Sequence, residues 1–584
     1  MLLSSIKKIK EVKRGEFIKS RDIKNKKDCF RKVLQTHKPF VQKEDQIRIF
    51  TSSSSICTSS WHPMAIVQYG IEKYIPSSKI KIGDFVISNG KYEQVINVSN
   101  GNFSEDFADF TIEETNNYYA GDTTNLILAH NTVYTPFWHY EIEDILVLKN
   151  NKGTEDNRLR HVDWAIQFSR LAYERLIAGS HITLFDPNEV PELYEAFFRN
   201  EDEFKQLYEQ AERKTSIRKK KIPALDLFSK FIQERKGTGR VYLMNVDHAN
   251  SHGAFKPEVA PVKMSNLCTE ILLHSKPLRS IDDPEAEIAL CILGSVNLAA
   301  IKSPDDFKEP CELLVRALDE LIDFQSYPVK AAERSATKRR TLGIGINNLA
   351  YWLAKNDLNY QDISTEGLKK IDVIMEGFSY HLIKASADLA VEKGPCELWK
   401  ETKYSEGLVA LDTYKKDVDI LVDCTVNYNW DGLRQQLKTT GIRNSTLSAI
   451  MPSETNSLLI NATNGIEPPR ALVSVKQSKD GVVAQVVPEI YRLKNKYDLL
   501  WDQKSPEGYL KIVAVMEKWI DQAISVNTSY NPIFYPNNEI PMSEMLNHLL
   551  FCYKYGIPTL YYCNTFDGAG EVEVPQVECE SCKL

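Results

Sequence analysis

SNLCTEI (265–271) places an amide, a thiol and a carboxylate at every second position. In an extended backbone, side chains alternate between faces, so Asn266, Cys268 and Glu270 are expected on one side of a strand. A thiol can act as a nucleophile or a one-electron donor, a carboxylate can take a proton, and an amide can orient hydroxyl groups. Taken alone, the heptapeptide reads more simply as an ordinary strand with a buried cysteine and solvated flanks. Its surroundings decide between the two.

Outward from it, helical and strand-like segments alternate. VDWAIQFSRLAYERLIAG (162–179) sets Val162, Ile166, Tyr173 and Leu176 at helical spacing and stops on Gly179. HITLF (181–185) reads as a strand, and PELYEAFFRNEDEFKQLYEQAERK (191–214) as one long helical stretch. RVYLMNV (240–246) and IPTLYY (557–562) are strand-like, and CELLVRALDELIDF (311–324) is helix-like. Such alternation over some 430 residues predicts a large α/β architecture, with a barrel as one form of it. GIG (343–345) lacks the third glycine of a dinucleotide loop and reads as close packing.

The 584 residues suggest about three to five units, or fewer with a large barrel. Hydrophobic residues at 43% and charged residues at 26% give the balance of a soluble globular protein. A net charge of −7 argues against a dedicated nucleic-acid binder. No run of about 18 apolar residues is present, which predicts no membrane span. The start, MLLSSIKKIKEVKRG, lacks the apolar segment of a secretory signal. Eleven cysteines are scattered, with Cys29, Cys311, Cys396, Cys424 and Cys552 standing alone. That pattern suits a reducing, cytoplasmic setting in which clustered cysteines become redox candidates.

The two ends differ from the middle. Residues 1–34 hold twelve Lys/Arg against four Asp/Glu. This basic segment (1–44) reads as a solvated surface or a piece that needs an oppositely charged fragment to fold, and alternatively as a nucleic-acid- or partner-binding arm. Between 45 and 131, DQIRIF, PMAIVQYG, GDFVIS, EQVINVS, FADFTIEE and NLILA are short β segments separated by Gly, Asn and Ser, predicting a compact all-β unit. The last stretch, FDGAGEVEVPQVECESCKL (566–584), is acidic and rich in small residues, as in a mobile tail.

SNLCTEI, IALCILGSVNLAAI (288–301), RRTLGIGINNLAYWLAK (339–355), RNSTLSAIMPSETNSLLINATNGIEPPR (443–470) and TLYYCNTFDG (559–568) follow one another in that order. Together they resemble the catalytic subunit of class I ribonucleoside-diphosphate reductase, from about Thr132 to Leu584. The resemblance implies a ten-stranded α/β barrel, of which 132–565 would be the carboxy-terminal part, with a finger loop carrying a radical cysteine. Cys268 matches that cysteine and would abstract the 3′-hydrogen of the ribose as a thiyl radical. Glu270 would be the base on the 3′-hydroxyl, Asn266 would hold substrate hydroxyls, and Ser265, Leu267 and Thr269 would complete the substrate-binding segment. Cys291 matches one of the redox pair that supplies two electrons. Radical chemistry needs placement and water exclusion, which suits a barrel interior.

Pro452, Ser453, Glu454, Thr455 and Asn456 match the substrate's diphosphate contacts. The backbone N–H groups of a helix start bind anions, although the segment is equally consistent with a plain N-cap. Tyr561 and Tyr562, which as a strand pair usually mean packing, match a tyrosine relay from a radical-generating small subunit, typically di-iron. No metal site is expected in this chain. Cys579 and Cys582 form CESC, which reads as dithiol exchange on a tether more readily than as half a zinc site. The resemblance gives this tail the task of reducing the active-site disulfide before being reduced by thioredoxin or glutaredoxin, although spacing in many relatives is wider.

The resemblance begins in mid-protein. It leaves the first half-barrel, the ATP and dNTP effector sites and the partner of Cys291 to an amino-terminal half. Before Thr132, SSSICTSSWHPMAI (53–66), FADFTIEETNNYYAGD (107–122) and NLILAHN (125–131) resemble the later blocks of a Hint-fold split intein. There Asn131 would cyclise with help from His130, Thr132 would be the acceptor nucleophile, His62 would activate the upstream junction, and Asp109 would be the acidic block position. Ser59 stands where a threonine is usual, and Asn116 where a histidine is common. The expected organisation is an intein fragment at 1–131, a barrel part at 132–565 and a redox tail at 566–584. Trans-splicing would join the halves, an arrangement familiar from phages, so the setting would then be the host cytoplasm. Two other readings stand beside it: non-covalent assembly with an inactive intein remnant, and a non-catalytic regulatory subunit. Neither a membrane nor a nucleic acid is expected as partner.

Overall fold

The computed structural model describes residues 133–150, 163–280, 283–290, 292–327, 329–478 and 481–567, and before them 17–22, 27–37, 46–51, 55–59, 63–68, 71–82, 84–88, 91–100 and 109–112.

Four strands carry the candidate site. Val133–Pro136, Trp164–Phe168 and Val241–Asn245 lie side by side in parallel, and Thr559–Leu560 closes the row antiparallel to the third. Tyr134 faces Ala165, and Ala165 faces Tyr242 in the next strand. Trp164–Phe168 is buried at every position, so its apolar residues carry no period of two. For that reason the sequence suggested one helix from Val162, whereas the helix is only Arg170–Ile177. Gly179 does follow it, at φ +60°. The stretch expected as one long helix is two, Pro191–Arg199 and Glu201–Arg213. Asn200 is extended, and its side chain accepts from the N–H groups of Asp202 and Glu203, so it ends one helix and caps the next.

A second parallel pair, Ile292–Asn297 and Leu342–Asn347, continues through bridges from Ile344 to Ser448 and from Ile450 to Ile524. Gly345 sits where a Cβ would lie 2.6 Å from the Ala449 carbonyl oxygen, so GIG is indeed a close-packing element. Lys308–Phe324 and the 29-residue helix Thr365–Lys393 pack together over this layer. One continuous apolar core runs from Phe137 to Cys563. The architecture is α/β, but the described strands form open sheets and no closed ten-stranded barrel. Two- to four-stranded pieces with bridges between them are all that the described residues contribute in this part of the chain.

The described residues before 132 are strands, with one short turn of 3-10 helix at Ser77–Lys79. Six strands between Gln46 and Asn100 form one sheet around Ile49, Met64, Ile66, Ile80, Val86 and Val95. Phe17–Asp22, Lys27–His37 and Asp109–Ile112 form another. Within the basic segment, Phe17–Asp22 and Lys27–His37 are strands. The charge count passed over the apolar Phe30, Val33 and Leu34 that lie among the basic residues of Lys27–His37. NLILA lies outside the described residues.

Candidate active site

The segment 265–271 is a turn and not a strand. The Thr269 N–H reaches the Asn266 carbonyl oxygen at 3.3 Å, and Thr269 has φ +66°. A β-branched residue rarely adopts that conformation, so the backbone here is strained. Three further bonds hold the turn. Ser265 Oγ donates to the Ile271 carbonyl (2.7 Å), the Ile271 N–H donates to Asn266 Oδ1 (3.2 Å), and Tyr134 Oη donates to the Asn266 carbonyl (2.8 Å). The Ala523 N–H anchors the Glu270 carbonyl at 3.1 Å. Asn266, Cys268 and Glu270 still converge, but through curvature rather than strand alternation. Leu267 points to solvent, at 53% exposure, while Thr269 is buried.

Glu270 is 2% exposed, and its Oε2 has no hydrogen-bond partner. Burial pushes its pKa above the usual carboxylate range, against a smaller pull from Asn266. Burial and the nearby Glu270 charge likewise push the Cys268 thiol up, offset in part by Tyr561. At neutral pH Cys268 is therefore a thiol rather than a thiolate. That suits a hydrogen-atom donor better than a nucleophile.

The thiol leads into a chain of phenols. Cys268 Sγ lies 3.7 Å from Tyr561 Oη, and Tyr561 Oη donates to Tyr562 Oη at 2.5 Å. The two rings stack, with centroids 3.7 Å apart and planes at 27°. Arg240 donates to Tyr562 Oη at 2.6 Å and covers its ring at 4.2 Å. Tyr561 is buried, Tyr562 is half-buried and Arg240 is exposed, so the chain runs from the interior to the surface. Neither tyrosine is in a strand, as IPTLYY suggested. They occupy the break between Thr559–Leu560 and Cys563–Thr565, where extra backbone partners are needed. The buried Arg235 supplies them, donating to the Tyr561 carbonyl (2.7 Å) and the Tyr562 carbonyl (3.1 Å). Sequence reasoning passed over Tyr134, Arg235, Arg240 and Tyr242. Only the last two left a signal, as alternate positions of the strand-like RVYLMNV.

MPSETNS leads into a helix of six residues, Glu454–Leu459. Ser453 makes no side-chain cap. Its buried hydroxyl accepts from the Gly465 N–H at 2.8 Å, and its own N–H donates to Asn464 Oδ1 at 2.9 Å. Pro452, Glu454 and Asn456 are exposed, and the side chain of Thr455 lies outside the described residues. This turn follows the Ile450–Ile524 bridge, next to Ala523 beneath Glu270.

Cys291, Cys579, Cys582, His62, His130, Asn131 and Thr132 lie outside the described residues. Asp109 opens the strand Asp109–Ile112, opposite His37. Among the described residues, no three His, Cys, Asp or Glu side chains meet in a metal-binding group, and no helix is long and apolar enough to cross a membrane.

Comparison with known proteins adds the family. Residues 129–497 and 491–563 match the family described as "Ribonucleotide reductase, barrel domain". The ribonucleoside-diphosphate reductase subunit alpha of Buchnera aphidicola (subsp. Acyrthosiphon pisum) is 53% identical over 438 residues, 75% of this chain and 57% of that protein. The corresponding subunit 1 alpha of Escherichia coli K12 is 50% identical over 455 residues, 77% of this chain and 60% of that protein. The subunit alpha of Enterobacteria phage T4 is 45% identical over 463 residues, 78% and 60% of the two chains. The chain thus spans less than two thirds of the length of the curated relatives it matches. With the family pattern covering most of this chain, and the turn and phenols lying within it, the protein belongs to the ribonucleotide reductase barrel-domain family.

Proposed function

We propose that this chain is the carboxy-terminal part of a ribonucleoside-diphosphate reductase alpha subunit, working by thiyl-radical chemistry. The observation that carries the reading is the unbroken contact from Cys268 through Tyr561 to Tyr562 and Arg240. A small subunit holding a metal-generated radical would supply the oxidising equivalent at Tyr562. The Cys268 S–H then gives its hydrogen atom to the Tyr561 phenoxyl, leaving the radical on sulfur. Sulfur takes the 3′-hydrogen of the ribose, Glu270 takes the proton of the 3′-hydroxyl through its free oxygen, and Asn266 orients the hydroxyls. Residues 452–456 hold the diphosphate. Cys291 and a cysteine of the amino-terminal half give two electrons as the 2′-hydroxyl leaves as water. Cys579 and Cys582 renew them, in turn reduced by thioredoxin or glutaredoxin.

The missing half also carries the effector sites, and trans-splicing between Asn131 and Thr132 joins it to this chain. The support for splicing is the sequence of residues 53–132. Co-expression with the amino-terminal half tests both parts. Mass measurement should find a ligated product lacking residues 1–131, absent in Asn131→Ala. The reconstituted enzyme should make deoxynucleotide, and Cys268→Ser should make none. Turnover by Cys268→Ser would remove the radical assignment, and ligation in Asn131→Ala would remove the splicing assignment.

A further inference from the structure

Four phenols crowd around Cys268, and the reading above uses two. Ala165, Tyr242 and Tyr561 form a small buried cluster, with Tyr134, Cys268 and Tyr562 packed against it. Tyr134, Ala165 and Tyr242 stand opposite one another on three adjacent strands. Ala165 is the smallest of the three, and the cysteine turn packs onto this face.

We propose that Tyr134 is a positioning residue for Cys268, fixing the turn through the Asn266 carbonyl while staying a spectator in one-electron transfer. The first half rests on geometry. The turn contains a residue at φ +66°, a conformation that relaxes unless the surroundings hold it. Two of the three bonds that close it, Ser265 to Ile271 and Ile271 to Asn266, lie within the turn itself. The third, from Tyr134, ties its Asn266 end to the sheet, while the Ala523 N–H holds its Glu270 end. With the Glu270 end held by Ala523, the Tyr134 phenol sets where the Asn266 end, and Cys268 two residues on, sits relative to Tyr561.

The second half concerns protons. A phenol gives up an electron easily only when its proton has somewhere to go. The Tyr134 proton points at an amide carbonyl, which is too weak a base to take it. Tyr561 has an oxygen on one side and a thiol on the other. In the step at issue the S–H bond of Cys268 breaks and the O–H bond of Tyr561 forms. One electron and one proton move together, and the O–H bond of Tyr134 stays intact. This half rests on the radical reading, and the positioning half does not.

Tyr134→Phe in the full chain separates the two. Iodoacetamide labelling, read by peptide mass, should modify Cys268 about fivefold faster than in the wild type, the worth of one hydrogen bond. Exposed Cys424 should react unchanged, and buried Cys311 should stay protected. In the enzyme reconstituted with its amino-terminal half and small subunit, kcat should fall about five- to twentyfold, with KM for the diphosphate within twofold. Equal labelling of Cys268 would overturn the positioning role. So would modification of Cys311, which would mean that the phenol holds the whole fold. A loss comparable to that of Tyr561→Phe would overturn the spectator role, since Tyr134 would then belong to the route. If Tyr561→Phe itself turns over normally, the radical route fails, while the labelling result still judges the turn.

Discussion

Asp521 and Glu270 are both buried carboxyl groups, and they lie close in the fold, because Ala523 of the Asp521 loop binds the Glu270 carbonyl. Asp521 is fully engaged. Its Oδ2 accepts from Tyr404 Oη (2.7 Å) and the Leu447 N–H (2.8 Å), and its Oδ1 from the Ser448 N–H (2.8 Å) and Ser448 Oγ (2.9 Å). Glu270 leaves one oxygen unpartnered. Burial raises both pKa values, and for Asp521 four donors pull the other way. A carboxylate whose lone pairs are all taken joins segments together. One with a lone pair to spare can accept a proton from something that arrives. The difference lies in partners rather than in burial or residue type.

Three substitutions press on that contrast. The largest effect belongs to Glu270→Gln. Turnover of the reconstituted enzyme should fall about 10²- to 10⁴-fold, the usual worth of a general base, with the melting temperature nearly unchanged. Glu270 must be ionised to act, so wild-type kcat should rise with pH through a pKa above the ordinary glutamate range, and this limb should vanish in the variant. A variant that keeps the limb would break the contrast. Next, Asp521→Ala strands the Leu447 and Ser448 N–H groups and the Tyr404 hydroxyl. Urea unfolding should show a loss of about 3–5 kcal/mol. A loss under about 1 kcal/mol would mean that the four bonds do little joining.

The smallest effect sharpens the rule. Glu517 is buried, and neither of its carboxyl oxygens has a hydrogen-bond partner of good geometry, although the Ile524 N–H lies near. Its pKa is raised by burial, so its contribution to stability is intact below the unfolded value and is lost as pH rises through the folded one. Glu517→Met should therefore stabilise by about 1–3 kcal/mol near pH 7 and by less near pH 4. Stabilisation that shrinks as pH rises would show that Glu517 has found a cationic partner.

The pattern that named the chemistry was plainer in the sequence than the shape that delivers it. Asn266, Cys268 and Glu270 were visible as a group because their types are unusual together. Their arrangement was misjudged, because a turn held by Ser265, Tyr134 and Ala523 depends on residues up to 253 positions away. Trp164–Phe168 was misread because a strand buried on both faces has no alternation to detect. Gly179 and Gly345 were legible, since each answers a local demand: a left-handed φ in one case and a missing Cβ in the other. Arg235 was illegible, because nothing local announces that its guanidinium will meet two carbonyls more than 300 residues on. The α/β class was legible, and the described strands form open pieces, as a part of a barrel would.

Thr269 stands between the sulfur and the carboxylate in a conformation its side chain resists. That conformation fixes the direction in which its two neighbours project. A glycine there would ease the backbone strain and let the sulfur and the carboxyl group drift apart. The awkward residue trades comfort for a fixed spacing between thiol and carboxyl group.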